Sequence, residues 1–102
     1  MADVITRVYI PSQALTSGPV RRQIQRLIGD VGGATWYQGT GVWGGSSEEV
    51  RILEVAHNFA DVRVSQDLAA LRYAMHVSGE RAVMSATWPA SVVVSLKGKG
   101  DL

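Results

Sequence analysis

The strongest constraint on this chain is the order in which its hydrophobic period switches between two and about 3.6 residues. Residues 4–10, VITRVYI, alternate: Val4, Thr6, Val8 and Ile10 point one way, and Ile5, Arg7 and Tyr9 the other. Such β-branched and aromatic side chains suit a pleated surface, so the stretch predicts a first strand, central on composition and ended by Pro11. After a polar connection, Ser17-Gly18-Pro19 marks a helix start, with proline where its missing N–H costs nothing. Val20, Ile24, Leu27, Ile28 and Val31 then form one apolar stripe, with Arg22, Gln25 and Arg26 opposite. Gly32 and Gly33 supply the stop, since glycine takes the left-handed conformation a helix end requires.

Residues 34–38, ATWYQ, read as a second strand, and GTGVWGGSS as a long hairpin connection. EEVRILEVAH, residues 48–57, is the third strand: Arg51, Leu53, Val55 and His57 share one face, and Val50, Ile52, Glu54 and Ala56 the other. A second helix runs from about Asp61 or Ser65 to Ser78, striped by Val64, Leu68, Leu71 and Met75 and stopped by Gly79. Residues 82–88 form a fourth strand, broken at Pro89. SVVVSL, 91–96, is read as a short fifth strand or an extension reaching a neighbour, and 97–102 as a frayed tail. The order β-α-β-β-α-β predicts one ferredoxin-like α+β domain over residues 1–96. Its four-stranded antiparallel sheet carries both helices on one face, and right-handed crossovers set the strand order 4-1-3-2.

At 102 residues the chain can build one modest core. An apolar fraction of 46% with 19% charged residues excludes a disordered chain. No cysteine is present, so there is no disulfide framework and no thiolate metal site. The apolar runs are too short to span a membrane, and residues 1–20 lack the basic start and apolar block of a signal peptide; the expectation is a cytoplasmic protein. A net charge of +1 gives no long-range attraction to nucleic acid or an anionic bilayer. Arg21, Arg22 and Arg26 read as a solvated basic helix face.

Two helices cover only one face of such a sheet. The apolar side chains left for the other face are drawn from Trp36 or Tyr37, the Leu53 and Val55 row, and the Val83 or Trp88 row. An uncovered apolar face of that size predicts a homo-oligomer assembled sheet against sheet, with Leu53, Val55, Val83 and Trp88 in the interface. The glycine-rich 39–47 segment reads as a flap, with Trp43 its hydrophobic anchor. Trp36, Tyr37, Trp43 and Arg7 are therefore the candidate residues for binding a protein or small-molecule partner. The segment holds neither a GxGxxG fingerprint nor a P-loop, and the strands lack the RNP aromatics, so no nucleic-acid partner is expected.

Catalytic candidates are few. His57 ends the third strand with Glu54 on the opposite face, so Glu54 cannot orient it without a bulge; a backbone-bonded histidine is the plainer account. Glu54 is either paired, with Arg7 for instance, or held neutral in an apolar groove. His76 near the end of the second helix favours the helix dipole, and no HxxH spacing exists, so neither metal nor cofactor is expected. The composite expectation is a non-enzymatic, homo-oligomeric accessory or regulatory module binding near residues 36–47. The alternative is a cofactor-independent dimeric α/β-barrel enzyme, of monooxygenase or isomerase type, with His57 or Glu54 as base.

Residues 34–57, ATWYQGTGVWGGSSEEVRILEVAH, resemble a group of short, uncharacterised bacterial and phage proteins in the ferredoxin-like superfamily. The shared features are Gly41-Val42-Trp43 and the acidic, β-rich run from Glu48 to Val55. The resemblance implies the fold more than a function. The chain is more distantly similar to PII-like signalling proteins, trimers that bind nucleotides or small ions through a long loop after the second strand. Residues 39–47 stand in a similar place but lack the basic nucleotide-binding residues. It is also similar to dimeric α/β-barrel monooxygenases, which hold substrate between sheet and helices. Neither His57 nor His76 sits in the Asn-Trp-His motif of their haem-degrading members.

Overall fold

A computed structural model describes residues 2–92. The elements are β1 (Ala2–Pro11), a 3-10 helix (Ser12–Thr16), α1 (Gly18–Val31), β2 (Thr35–Trp43), β3 (Ser46–His57), α2 (Val62–Val77) and β4 (Met84–Val92). The strands form one antiparallel sheet in the order β2-β3-β1-β4, as the crossover rule predicts, and both helices pack on the same face. The fold is the ferredoxin-like α+β sandwich. The expected fifth strand falls partly in β4, while residues 93–96 and the tail at 97–102 lie outside the described residues.

Local chemistry sets the helix ends. The Ser17 hydroxyl accepts from the Val20 N–H at 3.4 Å, and Gly32, at φ 81°, donates its N–H to the Ile28 carbonyl at 2.9 Å. For α2, the Asp61 carboxylate accepts from the N–H groups of Arg63 (3.0 Å) and Val64 (3.3 Å). The expected stripes are the buried ones: Val20, Ile24 and Leu27 on α1, and Val64, Leu68, Leu71 and Met75 on α2.

Register divides the sheet into two unlike faces. Val4, Thr6 and Val8 of β1 stand opposite His57, Val55 and Leu53 of β3, and all six are buried on the helix side. Ile5, Arg7 and Tyr9 stand opposite Ala56, Glu54 and Ile52 on the other face, which no helix covers. This corrects the interface expected from sequence. Leu53 (0% exposed) and Val55 (1%) are core residues between sheet and helices, and Val83 packs against the same core. Alternation shows which residues share a face but not which face the helices take. Of the four expected interface residues only Trp88, opposite Ile5, lies on the open face.

Two further expectations are corrected. The 39–47 segment is not a loop: β2 continues to Trp43, Gly44 and Gly45 make the turn, and β3 begins at Ser46. Positive φ at both glycines (55° and 85°) meets the need of a two-residue type I′ hairpin, whose twist matches that of the strands. Pro89 does not end β4. There β1 advances two residues, Ala2 to Val4, while β4 advances three, Pro89 to Val92. Such a bulge on an edge strand tolerates a residue with no N–H to donate.

Candidate ligand-binding face

The centre of the open face is a connected polar patch inside an apolar frame. Arg7 donates from Nε to Glu54 Oε2 at 2.8 Å, with a second nitrogen at 2.6 Å. The Tyr37 hydroxyl donates to the same carboxylate oxygen at 2.5 Å, and Arg7 reaches the Tyr9 hydroxyl at 3.4 Å. The guanidinium carbon lies 4.9 Å from the centre of the Trp88 ring, a cation–π contact. One carboxylate and one guanidinium are thus neutralised by each other and flanked by three aromatic rings.

That geometry decides the protonation of Glu54. The Tyr37 hydroxyl and then Arg7 hold its carboxyl below the usual value, because both donors favour the charged form. A neutral Glu54 in an apolar groove, one of the two sequence readings, is therefore overturned. The plain ion pair with Arg7 is what stands in the structure. Tyr37 is shifted the other way: its hydroxyl hydrogen is donated to the Glu54 carboxylate, so the phenol ionises above its ordinary value.

Beside this patch the face opens into a groove of about 620 Å³, lined by Tyr9, Pro11, Val50, Met84 and Trp43, and edged by the segment after α2. Trp43 is 46% exposed and donates from Nε1 to Glu48 at 2.7 Å. Its indole lies over Gly41, where a Cβ would stand 2.8 Å from Nε1; Ile52 covers Gly39 in the same way at 3.0 Å. The two glycines leave a bare strip of backbone on β2, and neighbouring side chains lie across it. Trp36 is on the other face, beside α1, bordering a second groove with Leu15, Ile24 and Ile28. Of the four candidate binding residues, Arg7, Tyr37 and Trp43 thus share the open face, and Trp36 does not.

No model of a known protein family matches the chain, nor does any curated protein.

His57 lies on the helix face, 7% exposed. Its Nδ1 is 3.1 Å from the Asn58 carbonyl, which can only accept, so Nδ1 carries the proton. Nε2 then accepts from the Thr6 hydroxyl at 2.7 Å, and Thr6 Oγ1 in turn lies 2.7 Å from Thr87 Oγ1. The backbone-bonded histidine expected from sequence is present, with a two-threonine chain that the sequence did not suggest. No carboxylate faces it in its cavity of about 160 Å³. His76 is exposed and bonds the Glu80 carbonyl at 2.9 Å, and no cluster of His, Asp and Glu among the described residues could hold a metal ion.

The least expected titratable group is Asp67. It is buried on α2, and its Oδ2 and the Gln23 Oε1 of α1 have no hydrogen-bond donor. Burial, reinforced by the neighbouring Asp30 carboxyl, pushes Asp67 up to about 6, against the opposing pull of Arg26 and Arg63. A signal was present in the sequence: Asp67 stands three residues after Val64 and four before Leu71, inside the apolar stripe.

Proposed function

We propose that the chain is a non-enzymatic accessory module that assembles through its open sheet face and takes a protein or small ligand in the groove beside Trp43. One observation carries this reading: the only ion pair on the described part of that face, Arg7–Glu54, is already closed, in a surround of Ile5, Ile52, Tyr37, Met84, Ala86 and Trp88. A partner can cover the centre of that face, around Arg7, Glu54 and Trp88, without stranding an unpaired charge, which is the costly event in burying ionic groups; Glu48 lies toward the hairpin end, bonded to Trp43. Four strands about 4.8 Å apart and about nine residues long give a face of roughly 600 Å² before side-chain relief is counted. A stable interface takes about 800 Å² per partner, so a second copy would have to cover the whole of this face together with its projecting side chains.

The enzyme alternative has less support. Glu54 is held ionised by two donors and is a poor base. His57 meets a cavity of only about 160 Å³, too small for most organic substrates.

The test is the mass in solution. Light scattering at tens of micromolar should give a multiple of the 11.0 kDa chain, and Ile52→Asp or Ala86→Glu should reduce it with helix content unchanged. A strict 11 kDa species in the unaltered protein overturns the assembly. Fluorescence of a hydrophobic dye that binds the groove should fall on Trp43→Ala, and an unchanged signal removes the groove from the reading.

A further inference from the structure

The polar chain ending at His57 opens into a small cavity on the helix side that is lined mostly by hydrogen-bond donors. Its walls are Thr6, His57, Phe59, Ser65, Leu68, Arg72 and Thr87. No acidic side chain is among them. Arg72 is half-buried and pairs with no carboxylate among the described residues. The carboxylates on the flanking segments are engaged elsewhere: Asp3 accepts from the Phe59 N–H at 2.8 Å, and Asp61 caps α2. A partly desolvated guanidinium without a counter-ion, facing hydroxyls, is a site built for an anion.

We propose that this cavity binds a small oxyanion, and that His57 takes up a proton when it does. The hydroxyl directions give the reason. With His57 neutral, Thr6 donates to Nε2 and Thr87 donates to Thr6, so Thr87 turns only lone pairs toward the cavity. An anion there meets an acceptor. When Nε2 is protonated the chain reverses: Nε2–H donates to Thr6, Thr6 donates to Thr87, and the Thr87 hydrogen is freed toward the cavity. The charges act in the same direction. An anion held by Arg72 in the same cavity as His57 favours the charged form of the imidazole. Anion and proton therefore bind with positive, reciprocal coupling.

Size selects the ligand class. At about 30 Å³ per water, the cavity holds roughly five waters. That admits a sulfate- or phosphate-sized group or a short carboxylate and excludes a nucleotide. The inference does not depend on whether the open sheet face is covered, since the cavity lies on the helix side.

The experiment is an NMR titration of the imidazole protons of the chain's two histidines, with sulfate, acetate or chloride at matched ionic strength. Sulfate stands for phosphate-like groups and acetate for carboxylates. Either anion should raise the His57 midpoint by about half a unit or more relative to chloride, while exposed His76 stays put. The anion that acts identifies the class. Arg72→Gln should weaken binding tenfold or more and remove the shift. Thr87→Val, at an exposed position that tolerates it, should leave binding through Arg72 but reduce the shift of His57 to the part carried by charge alone. The proposal is overturned if neither anion moves His57, if His57 and His76 move together, if His57 stays neutral through acid pH with sulfate present, or if Arg72→Gln keeps the shift.

Discussion

Trp43 lies across the backbone of Gly41, two residues before it on the same face of β2. The indole Nε1 stands 2.8 Å from the point a Cβ on Gly41 would occupy. The ring is held there by its bond to Glu48, the residue paired across from Gly41 on β3. Glycine and tryptophan thus work as one unit, the ring covering the backbone that the missing side chain exposes.

That coupling is measurable. Gly41→Ala drives a methyl group into the ring and should cost about 1–3 kcal/mol, the scale of overpacking. In a Trp43→Ala background the same change should cost much less. A double-mutant cycle by urea unfolding should therefore show a coupling of about 0.5 kcal/mol or more, and strict additivity would mean the ring does not rest on Gly41.

Trp43→Ala alone removes a half-exposed ring and should lower stability by about 1 kcal/mol, well short of the roughly 3–5 kcal/mol typical of a buried aromatic. Trp36, 39% exposed, should behave similarly, whereas Leu53→Ala should cost about 2–5 kcal/mol. Denaturant midpoints of the three variants check the ranking.

Val55→Asp and Ile52→Asp separate the two sheet faces. Val55 is buried against the helices, so an unpaired carboxylate there should cost several kcal/mol and unfold the domain. The far-ultraviolet circular dichroism of Val55→Asp should collapse, while that of Ile52→Asp should stay folded.

Asp67 should make the protein more stable in mild acid. Its carboxyl titrates at about 6 in the folded chain, above the ordinary 3.8. The proton is thus held more tightly in the folded state. The stabilisation is fully present below about pH 4 and lost as pH rises through 6. Within that window, the urea midpoint should rise as pH falls from 7 to 5. Asp67→Asn should flatten the slope and stabilise the protein at pH 7 by about 1–2 kcal/mol, since an uncharged amide ends the burial of charge. A variant that keeps the wild-type slope would place the titration elsewhere.

Gly44→Ala and Gly45→Ala should each cost about 1–2 kcal/mol, because both positions hold positive φ, which L-residues with a Cβ resist. Thermal melts of the two variants check this.

What the sequence determined by itself was the element order, the helix caps and the two stripes. These depend on neighbours within a few residues: the Ser17 hydroxyl bonds three residues ahead, and Val64, Leu68, Leu71 and Met75 repeat along one helix face. The hairpin was nearly legible too. Gly44-Gly45 between Trp43 and Ser46 is a turn signal, obscured by the glycines at 39 and 41 that made the strand look like loop. Only the tertiary structure decided which face of the sheet is open. Leu53 and Ile52 are equally apolar and adjacent, and nothing local says which of them meets the helices. That choice falls on the face carrying Val8, Ile10 and Leu53, which packs with both helix stripes in a single core. It leaves Ile52 with Arg7, Glu54 and Tyr37. The hydrogen bonds of those three, the Asp67 carboxyl between α1 and α2, and the line from His57 to Thr87 all join residues far apart in the chain. Pairing at that range is set by strand register and helix packing, which no short stretch of sequence encodes.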